Sequence, residues 1–344
     1  MAVVSSFWVR AALADAGDAV REVGEEVGWA ALQRPTRAHG RAVRARLSPS
    51  RQRRWDAGGE VVTPFRVSTL ACDDFPQALR HIDDPPPVLF IEGDLGVLRG
   101  ALAVAVVGTR RATTRAAGAT RLMVHHLARH GVVTVSGLAR GIDAAAHRAA
   151  VEAGGPTVAV LGHGLAFTSP RSNRDLRRRI VEAGGAVVSS WPDSFEASRL
   201  TFPRRNRWIA ALSSVTVVMQ AGARSGASIT ARHALSLGRP VRAYLPLQGD
   251  AAYAGCQALL EGEATPLGDP EVAAAELAGA PVGRTAPWLR LLFAGQPLVE
   301  VARAWGGAEL ALAKELVRLE LEGVVVRRPG GRYAPGKELS CHLS

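Results

Sequence analysis

Between residues 102 and 245 the chain alternates short, apolar, β-rich runs with stretches of helical spacing. Strands are expected at 102–107, 132–135, 157–161, 186–189, 215–218 and 241–245, and helices at 111–130, 141–154, 173–184, 204–213 and 227–237. A strand that is apolar on both faces must be covered on both faces, and a helix between successive strands supplies the crossover that parallel pairing requires. This pattern restricts the chain to the α/β class, as an extended Rossmann-like, doubly wound, mainly parallel sheet. A further apolar run, Val88-Leu89-Phe90-Ile91, follows the proline-rich Asp84-Pro85-Pro86-Pro87 and reads as an added strand. Ligands of such sheets bind at the carboxyl ends of the strands, so the glycine-rich turns that follow the runs should share one edge.

The flanks do not share this alternation. Residues 1 to about 58 look helical, with Val9, Leu13, Val20, Val23, Val27 and Leu32 mostly three or four apart. Around 278–287 a Pro/Gly/Ala passage reads as a linker, followed by short helices at 287–294, 297–305 and 308–322, then Val324-Val325-Val326 and a turn at Pro329-Gly330-Gly331 before Tyr333. Three helices closed by a hairpin are the layout of a winged helix. The expected domains are therefore 1–60, a basic helical domain for which a SAM-like arrangement is one reading; 61–280, the Rossmann-like domain; and 281–344, a winged-helix-like C-terminal domain. The third C-terminal helix opens Ala308-Glu309-Leu310-Ala311, without the arginines or amides that read base edges, which favours packing or partner contact over sequence-specific reading.

A formal net charge of +11 draws the chain toward polyanions. Lys314 and Lys337 are the only lysines, so no GxxxxGK phosphate loop exists and an ordinary ATPase site is excluded. No apolar run approaches the roughly 18 residues of a membrane span, and the opening MAVVSSFWVR lacks the early positive charge of a secretory signal, so a cytoplasmic location without membrane insertion is expected. Cys72, Cys256 and Cys341 are too scattered for a disulfide framework or a zinc ribbon. From Arg34 to Arg54 eight arginines occur with no acid. A solvated helix face and a patch touching a phosphate backbone both account for them, although like charges without interleaved acids need something to neutralise them.

Three turns have the character of anion sites, where backbone N–H groups and a helix dipole meet. In VVTVSGLARGIDAAAH, residues 132–147, the β-branched run breaks at Ser136-Gly137 and a helix restarts after Gly141, with Arg140 between. Gly108-Thr109-Arg110 and Gly162-His163-Gly164 repeat the device, and Arg110 adds a planar fork able to hold two phosphate oxygens. Thr201 to Ile209 sets Arg204, Arg205, Asn206 and Arg207 between Phe202 and Trp208, cations beside aromatic platforms as single strands need. Trp208 is read as core and Arg204 as a ligand contact. Ser225, Gly226 and Ser228 open another helix and supply either hydroxyl donors or an N-cap. Asp143 and His147 share a helix face, and capping with packing is favoured for them over a general base. His125 and His126 point apart on adjacent helical positions, and no nucleophile elbow, HExxH or paired carboxylates occur, so no catalytic residue, metal or cofactor is expected.

In order, VAVVGTRRA at 104–112, VSGLARGIDAAAH at 135–147, VAVLGHGL at 158–165, FPRRNRWIA at 202–210 and SGASITARHAL at 225–235 resemble the bacterial DNA-processing protein A (DprA/Smf) family, across roughly residues 70–270. The terminal LVRLELEGVVVRRPGGRY is similar to the winged-helix tail of many members. The resemblance implies a Rossmann-like domain without known catalysis that binds single-stranded DNA and loads the RecA recombinase onto it in natural transformation. It implies phosphate contacts from Gly108, Thr109 and Arg110, from Ser136, Gly137 and Arg140, and from Arg204, Asn206 and Arg207; Gly141, Gly162, Gly164, Arg205, Ser225, Gly226 and Ser228 are expected to bind the strand with them. It also implies a homodimer whose surface is expected near Cys256 to Leu267.

Three positions depart from the family pattern: Met219-Gln220 where an acid is usual, Ser169 in place of a tyrosine, and Ser189-Ser190 in place of SE. Altered base packing or salt sensitivity is expected from them. The rival reading is an enzyme, a nucleotide phosphoribohydrolase of the lysine-decarboxylase-like group. Its PGGxGTxxE signature is absent, since Pro329-Gly330-Gly331 is not followed by GT.

Overall fold

The computed structural model describes residues 1–344 apart from 15, 28, 199–200, 247–248, 280–291, 293–296, 306–308, 322–324, 329–331 and 336–344. Its centre is a nine-stranded sheet. In chain order the strands are β3 (Arg66–Thr69), β4 (Val88–Gly93), β5 (Ala103–Gly108), β6 (Val133–Ser136), β7 (Thr157–Val160), β8 (Ala186–Ser189), β9 (Val215–Gln220), β10 (Val241–Ala243) and β11 (Thr265–Pro266). Across the sheet they run β11-β10-β9-β5-β6-β7-β8-β4-β3. The pairs from β11 to β8 are parallel, and β4 and β3 add an antiparallel edge. The fold is α/β and Rossmann-like, as the alternation requires.

Burial explains why these runs are strands. All of β6, β7 and β8 is buried, and so is β5 up to Val107, which only a sheet covered on both faces can achieve. The cover comes from α7 (Thr114–Arg129), α8 (Ile142–Glu152), α9 (Arg174–Glu182) and α13 (Pro270–Leu277), which pack side by side in the order α13-α7-α8-α9, and from α10 (Thr201–Ala211), α11 (Ala227–Ser236) and α12 (Ala254–Glu261), which form a second contiguous set. Right-handed crossovers place the two sets on opposite faces. Helix α7 begins three residues later than expected because Thr113 caps it, its Oγ1 accepting from Ala116 N–H at 3.2 Å. Helix α10 begins earlier, with Pro203 tolerated in its first turn.

The N-terminal flank opens with a strand rather than a helix: β1 (Ala2–Val4) pairs antiparallel with β2 (Val61–Thr63). Between them lie α1 (Ser6–Ala14), α2 (Gly17–Val27), α3 (Trp29–Gln33), α4 (Arg37–Ala45) and α5 (Pro49–Asp56). Val9, Val20, Val23 and Leu32 are buried there, whereas Val27 is 44% exposed. One apolar cluster runs unbroken from Val4 to Ala274, so the helical flank and the sheet share a core. Beyond it, helices Leu298–Trp305 and Glu309–Leu321 and the hairpin Val325–Arg328 with Arg332–Pro335 gather around a separate small core of Val301, Leu312, Leu316 and Val325. The helix expected at 287–294 and the turn at 329–331 lie outside the described residues, Leu292 excepted.

Candidate functional site

The chain leaves β5 toward β6 on one side and later returns β9 to the other side of β5. Strand order reverses there, and the loops after the two strands diverge to leave a crevice at their carboxyl ends. A cavity of about 710 Å³ opens at this point. Its walls are the 108–111 turn after β5, the start of α10, and the 222–230 segment that follows β9 and opens α11.

Each wall is held by backbone chemistry. Gly108 is required by space: a Cβ there would stand 2.4 Å from Ile142 Cγ1 and 2.9 Å from the Gln220 carbonyl. Thr109 N–H donates to that carbonyl at 2.8 Å, which ties the turn after β5 to the end of β9. Gly141 has φ +75° and lies against the same turn, where a Cβ would meet Thr109 O at 2.1 Å. Gln220 is buried, and its Oε1 accepts from Thr113 N–H at 2.9 Å. The neutral amide therefore anchors the entry to α7 and places no negative charge beneath the crevice. Gly226, not Ser225, is the N-cap of α11; Ser225 Oγ accepts from Ala227 N–H at 3.3 Å from the turn before it, which leaves its hydroxyl hydrogen for another acceptor.

The crevice is cationic and has one aromatic wall. Arg110, Arg111 and Arg224 are exposed around it, and the Arg110 guanidinium lies 5.0 Å from the ring centroid of half-buried Phe202. Asn206 Nδ2 donates to Gly226 O at 3.3 Å and joins α10 to the turn before α11. Asp143 is the only carboxylate among the described lining residues, and it is buried, with Oδ2 accepting from Ala139 N–H at 3.4 Å. Burial pushes its pKa up while nearby Arg205 holds it down. An exposed cation rim without exposed acid, in an open groove, suits a polyanion.

The expected residues separate into three groups. Gly108, Thr109, Arg110, Arg205, Asn206, Ser225 and Gly226 line the crevice. Arg205 differs from the expected phosphate contact: it is 4% exposed, its Nη1 donates to Val160 O at 2.6 Å, and burial lowers its pKa to about 10. Gly137 is the small residue that admits this guanidinium, since a Cβ there would lie 1.8 Å from Arg205 Nη1. Ser136 is fully buried and donates to Val106 O at 2.7 Å, so it and Gly137 support the site from beneath and do not face it.

The third group lies elsewhere. Arg207 ion-pairs with Asp84, and Trp208 is buried as expected. Gly162 sits behind Phe202, 3.1 Å from its Cδ1 for an added Cβ, while Gly164 packs against the Pro192 and Asp193 carbonyls. Arg140 is exposed beyond Ala139, Arg204 is half-buried, and Ser228 lines an adjoining groove with Arg232. Ser189, within the Ser189-Ser190 departure, is buried and donates to His163 O at 2.7 Å, whereas Ser169 is exposed. Sequence reasoning missed Arg111 and Arg224, although Arg224 immediately precedes the Ser225-Gly226 turn.

His147 is sealed in the core. Thr157 Oγ1 donates to Thr134 O, so at 2.8 Å it accepts from His147 Nδ1–H, and Nε2 has no partner. Burial, with Arg205 adding to it, pushes the imidazole pKa down to about 3. A neutral, inaccessible ring serves packing. Among the described residues there is no group of three or more His, Cys, Asp or Glu placed to hold a metal, and no helix long and apolar enough to cross a membrane.

The model of the DNA recombination-mediator protein A family matches residues 66–278, which contain every wall of this crevice. The chain belongs to that family. It is 43% identical over 167 residues to protein Smf of Escherichia coli K12, covering 48% of this chain and 44% of that protein. To DNA processing protein DprA of Streptococcus pneumoniae it is 38% identical over 197 residues, covering 57% and 69%. The crystal structure of the pneumococcal protein superposes with a TM-score of 0.67 at 29% identity, covering 79% of this chain and 98% of that one. A Helicobacter pylori DNA processing protein A, solved to describe its single-stranded DNA binding mode, gives 0.57 at 30% identity, covering 63% and 97%. Against E. coli Smf and the Synechocystis Smf the match spans under half of the relative's length.

Proposed function

We propose that the protein is a single-stranded-DNA-binding recombination mediator without catalytic activity of its own. It holds backbone phosphates in the crevice between β5 and β9, protects the strand, and hands it to RecA. The observation that carries this reading is the crevice itself: Arg110, Arg111 and Arg224 exposed around an open groove, with Arg110 braced on Phe202. Cations track a phosphate backbone, and an aromatic face receives a base whatever its identity. The Helicobacter pylori relative, named for its single-stranded DNA binding mode, supports the same ligand.

In this reading Gly108, Thr109, Arg110, Asn206, Ser225 and Gly226 contact the strand, and Arg111, Arg224 and Phe202 join them. Arg140, Arg204 and Ser228 flank its path, while Arg205, Ser136, Gly137 and Gly141 hold the walls. The protein acts as a homodimer in the cytoplasm, joined near Cys256 to Leu267, where Ala258 is exposed and Leu259 and Leu260 are half-buried. Its settings are natural transformation and DNA repair. The 281–344 segment serves as a winged-helix-like module for packing or partner contact.

The test is titration of labelled single strand and duplex, followed by RecA filament assembly on single strand coated with its binding protein. Tight single-strand binding, weak duplex binding and faster filament assembly are expected. Equal affinity for duplex would overturn the reading. A phosphoribohydrolase would instead release free base from a nucleoside monophosphate, and no structural observation favours that enzyme, because the sole carboxylate among the described lining residues, Asp143, is buried beside Arg205.

A further inference from the structure

Six of the eight arginines between Arg34 and Arg54 divide into two sets. Arg44 binds Asp56 through two hydrogen bonds of 2.8 and 2.7 Å, Arg46 pairs with Glu22 and Glu26, Arg51 pairs with Asp18, and Arg54 Nε donates to Leu13 O. These hold the helices of the N-terminal unit together. Arg37 and Arg41, in contrast, are exposed along one side of α4 and turn into a cleft of about 510 Å³ that Arg10 of α1 enters from the other side.

This cleft is built for an anion. The only acid among its described lining residues, Asp56, is bound by Arg44 and also lies in the field of Arg10, so with Arg37 and Arg41 the cleft holds four arginines against one carboxylate. Like charges converging on one cavity are unfavourable unless a ligand neutralises them. The first turns of α1 and α4 both line it and neither contains an acidic residue, so two positive helix ends add to the arginine field. Ser5 is on the wall, and its Oγ is buried without a hydrogen-bond partner. Gly40 lies on the floor beside Trp55, where an added Cβ would make ordinary contact with Cζ2 at 3.7 Å. Trp55 and Phe7, in edge-to-face contact, also line the cleft.

We infer that this cleft is a second phosphate site for single-stranded DNA, in which Arg10, Arg37 and Arg41 take backbone phosphates of a strand whose other part lies in the crevice between β5 and β9. It deepens the function proposed above and rests on it. The strand's own length joins the two sites, so the second site matters only for strands long enough to reach both.

The experiment is fluorescence anisotropy with oligothymidylates of six and thirty nucleotides, each with a 5′-hydroxyl or a 5′-phosphate, over a salt series. The proteins are the full chain and its Arg37→Glu/Arg41→Glu, Arg37→Lys/Arg41→Lys and Arg110→Glu variants. The charge-reversed pair should bind the long strand about tenfold more weakly and flatten the plot of log K against log salt by about 1.4, from roughly 0.7 per phosphate released. The lysine pair should keep most of the affinity, the melting temperatures should agree, and the short strand should bind all but the Arg110 variant equally. Long-strand affinity and slope equal to the parent's in a folded charge-reversed protein would overturn the proposal. Should that pair fail to fold, Arg41→Gln alone must still lower the slope, and an unchanged slope overturns the proposal equally. A loss confined to 5′-phosphorylated strands would keep the site and assign it to the terminal phosphate. If the Arg110 variant bound like the parent while the Arg37/Arg41 pair lost the strand, the crevice reading would fail and this site would stand. No binding of single strand by the parent would overturn both.

Discussion

Replacing Arg110 tests the crevice with little risk to the fold. Its guanidinium is exposed, lies 5.0 Å over the Phe202 ring, and belongs to a turn fixed by the Thr109 N–H bond to Gln220 O. A charge-assisted hydrogen bond from such a group to a phosphate is worth about 1.5–3 kcal/mol. Arg110→Ala should therefore weaken single-strand binding by roughly 10- to 100-fold, since each ~1.4 kcal/mol is tenfold in Kd. The salt slope should fall by about 0.7, one phosphate contact's share. Arg110→Glu adds repulsion and should lose more, and Arg110→Lys should fall between because an ammonium lacks the planar fork. The stability cost is bounded by the cation–π contact, about 0.5–1 kcal/mol at an exposed site, which moves the melting temperature by only a few degrees. Anisotropy titrations at several salt concentrations, with thermal melts alongside, make the comparison. A folded Arg110→Glu protein that binds within twofold of the parent refutes the reasoning.

Three further expectations follow from the supports of the site. Gly141→Ala forces a side chain into φ +75° and toward Thr109 O, so it should cost about 1–3 kcal/mol and displace the 109–111 turn; single-strand affinity should drop beyond the stability loss, and unchanged binding would count against this coupling. Arg205→Met leaves Asp143 buried without its nearby cation and should destabilise by about 3 kcal/mol in urea melts, while Arg205→Met/Asp143→Asn should recover part of the loss; equal stability of the double and single variants would contradict it. His147 is held neutral with its pKa depressed from 6.5 to about 3, so its contribution is complete above pH 6.5 and is lost on acidification toward pH 3. Urea melts should show it as up to about 1.4 kcal/mol per pH unit across that window, a slope His147→Gln should flatten.

The strands and the turns between them were legible because a fully buried parallel strand leaves a continuous apolar run that ends at glycine. What the sequence does not display is strand order. All the glycine turns do lie at carboxyl ends, yet only those after β5 and β9 flank the reversal, and the 162–164 turn, after β7, lies two strands beyond β5. Gly162 and Gly164 therefore serve packing where Gly108 serves the crevice. The Thr201–Ile209 cluster carried a subtler signal. Arg205, Trp208 and Ile209 are three and four apart on one helical face and all are buried, whereas Asn206 falls on the open side. Helical phase separates Arg205 from its neighbours; residue type alone does not. The partners of Arg46 and Arg51 lie on α2, and only tertiary structure brings those acids to the basic run.

In the function proposed, single-stranded DNA lies in the crevice between β5 and β9. Photocrosslinking of 4-thiothymidine-substituted strands, with the attached peptides located by mass spectrometry, reads this directly. Adducts are expected at Phe202 and within residues 109–111 and 224–226, competed away by unlabelled single strand and not by duplex. Adducts that avoid all three segments, from a strand bound at saturation, would contradict it.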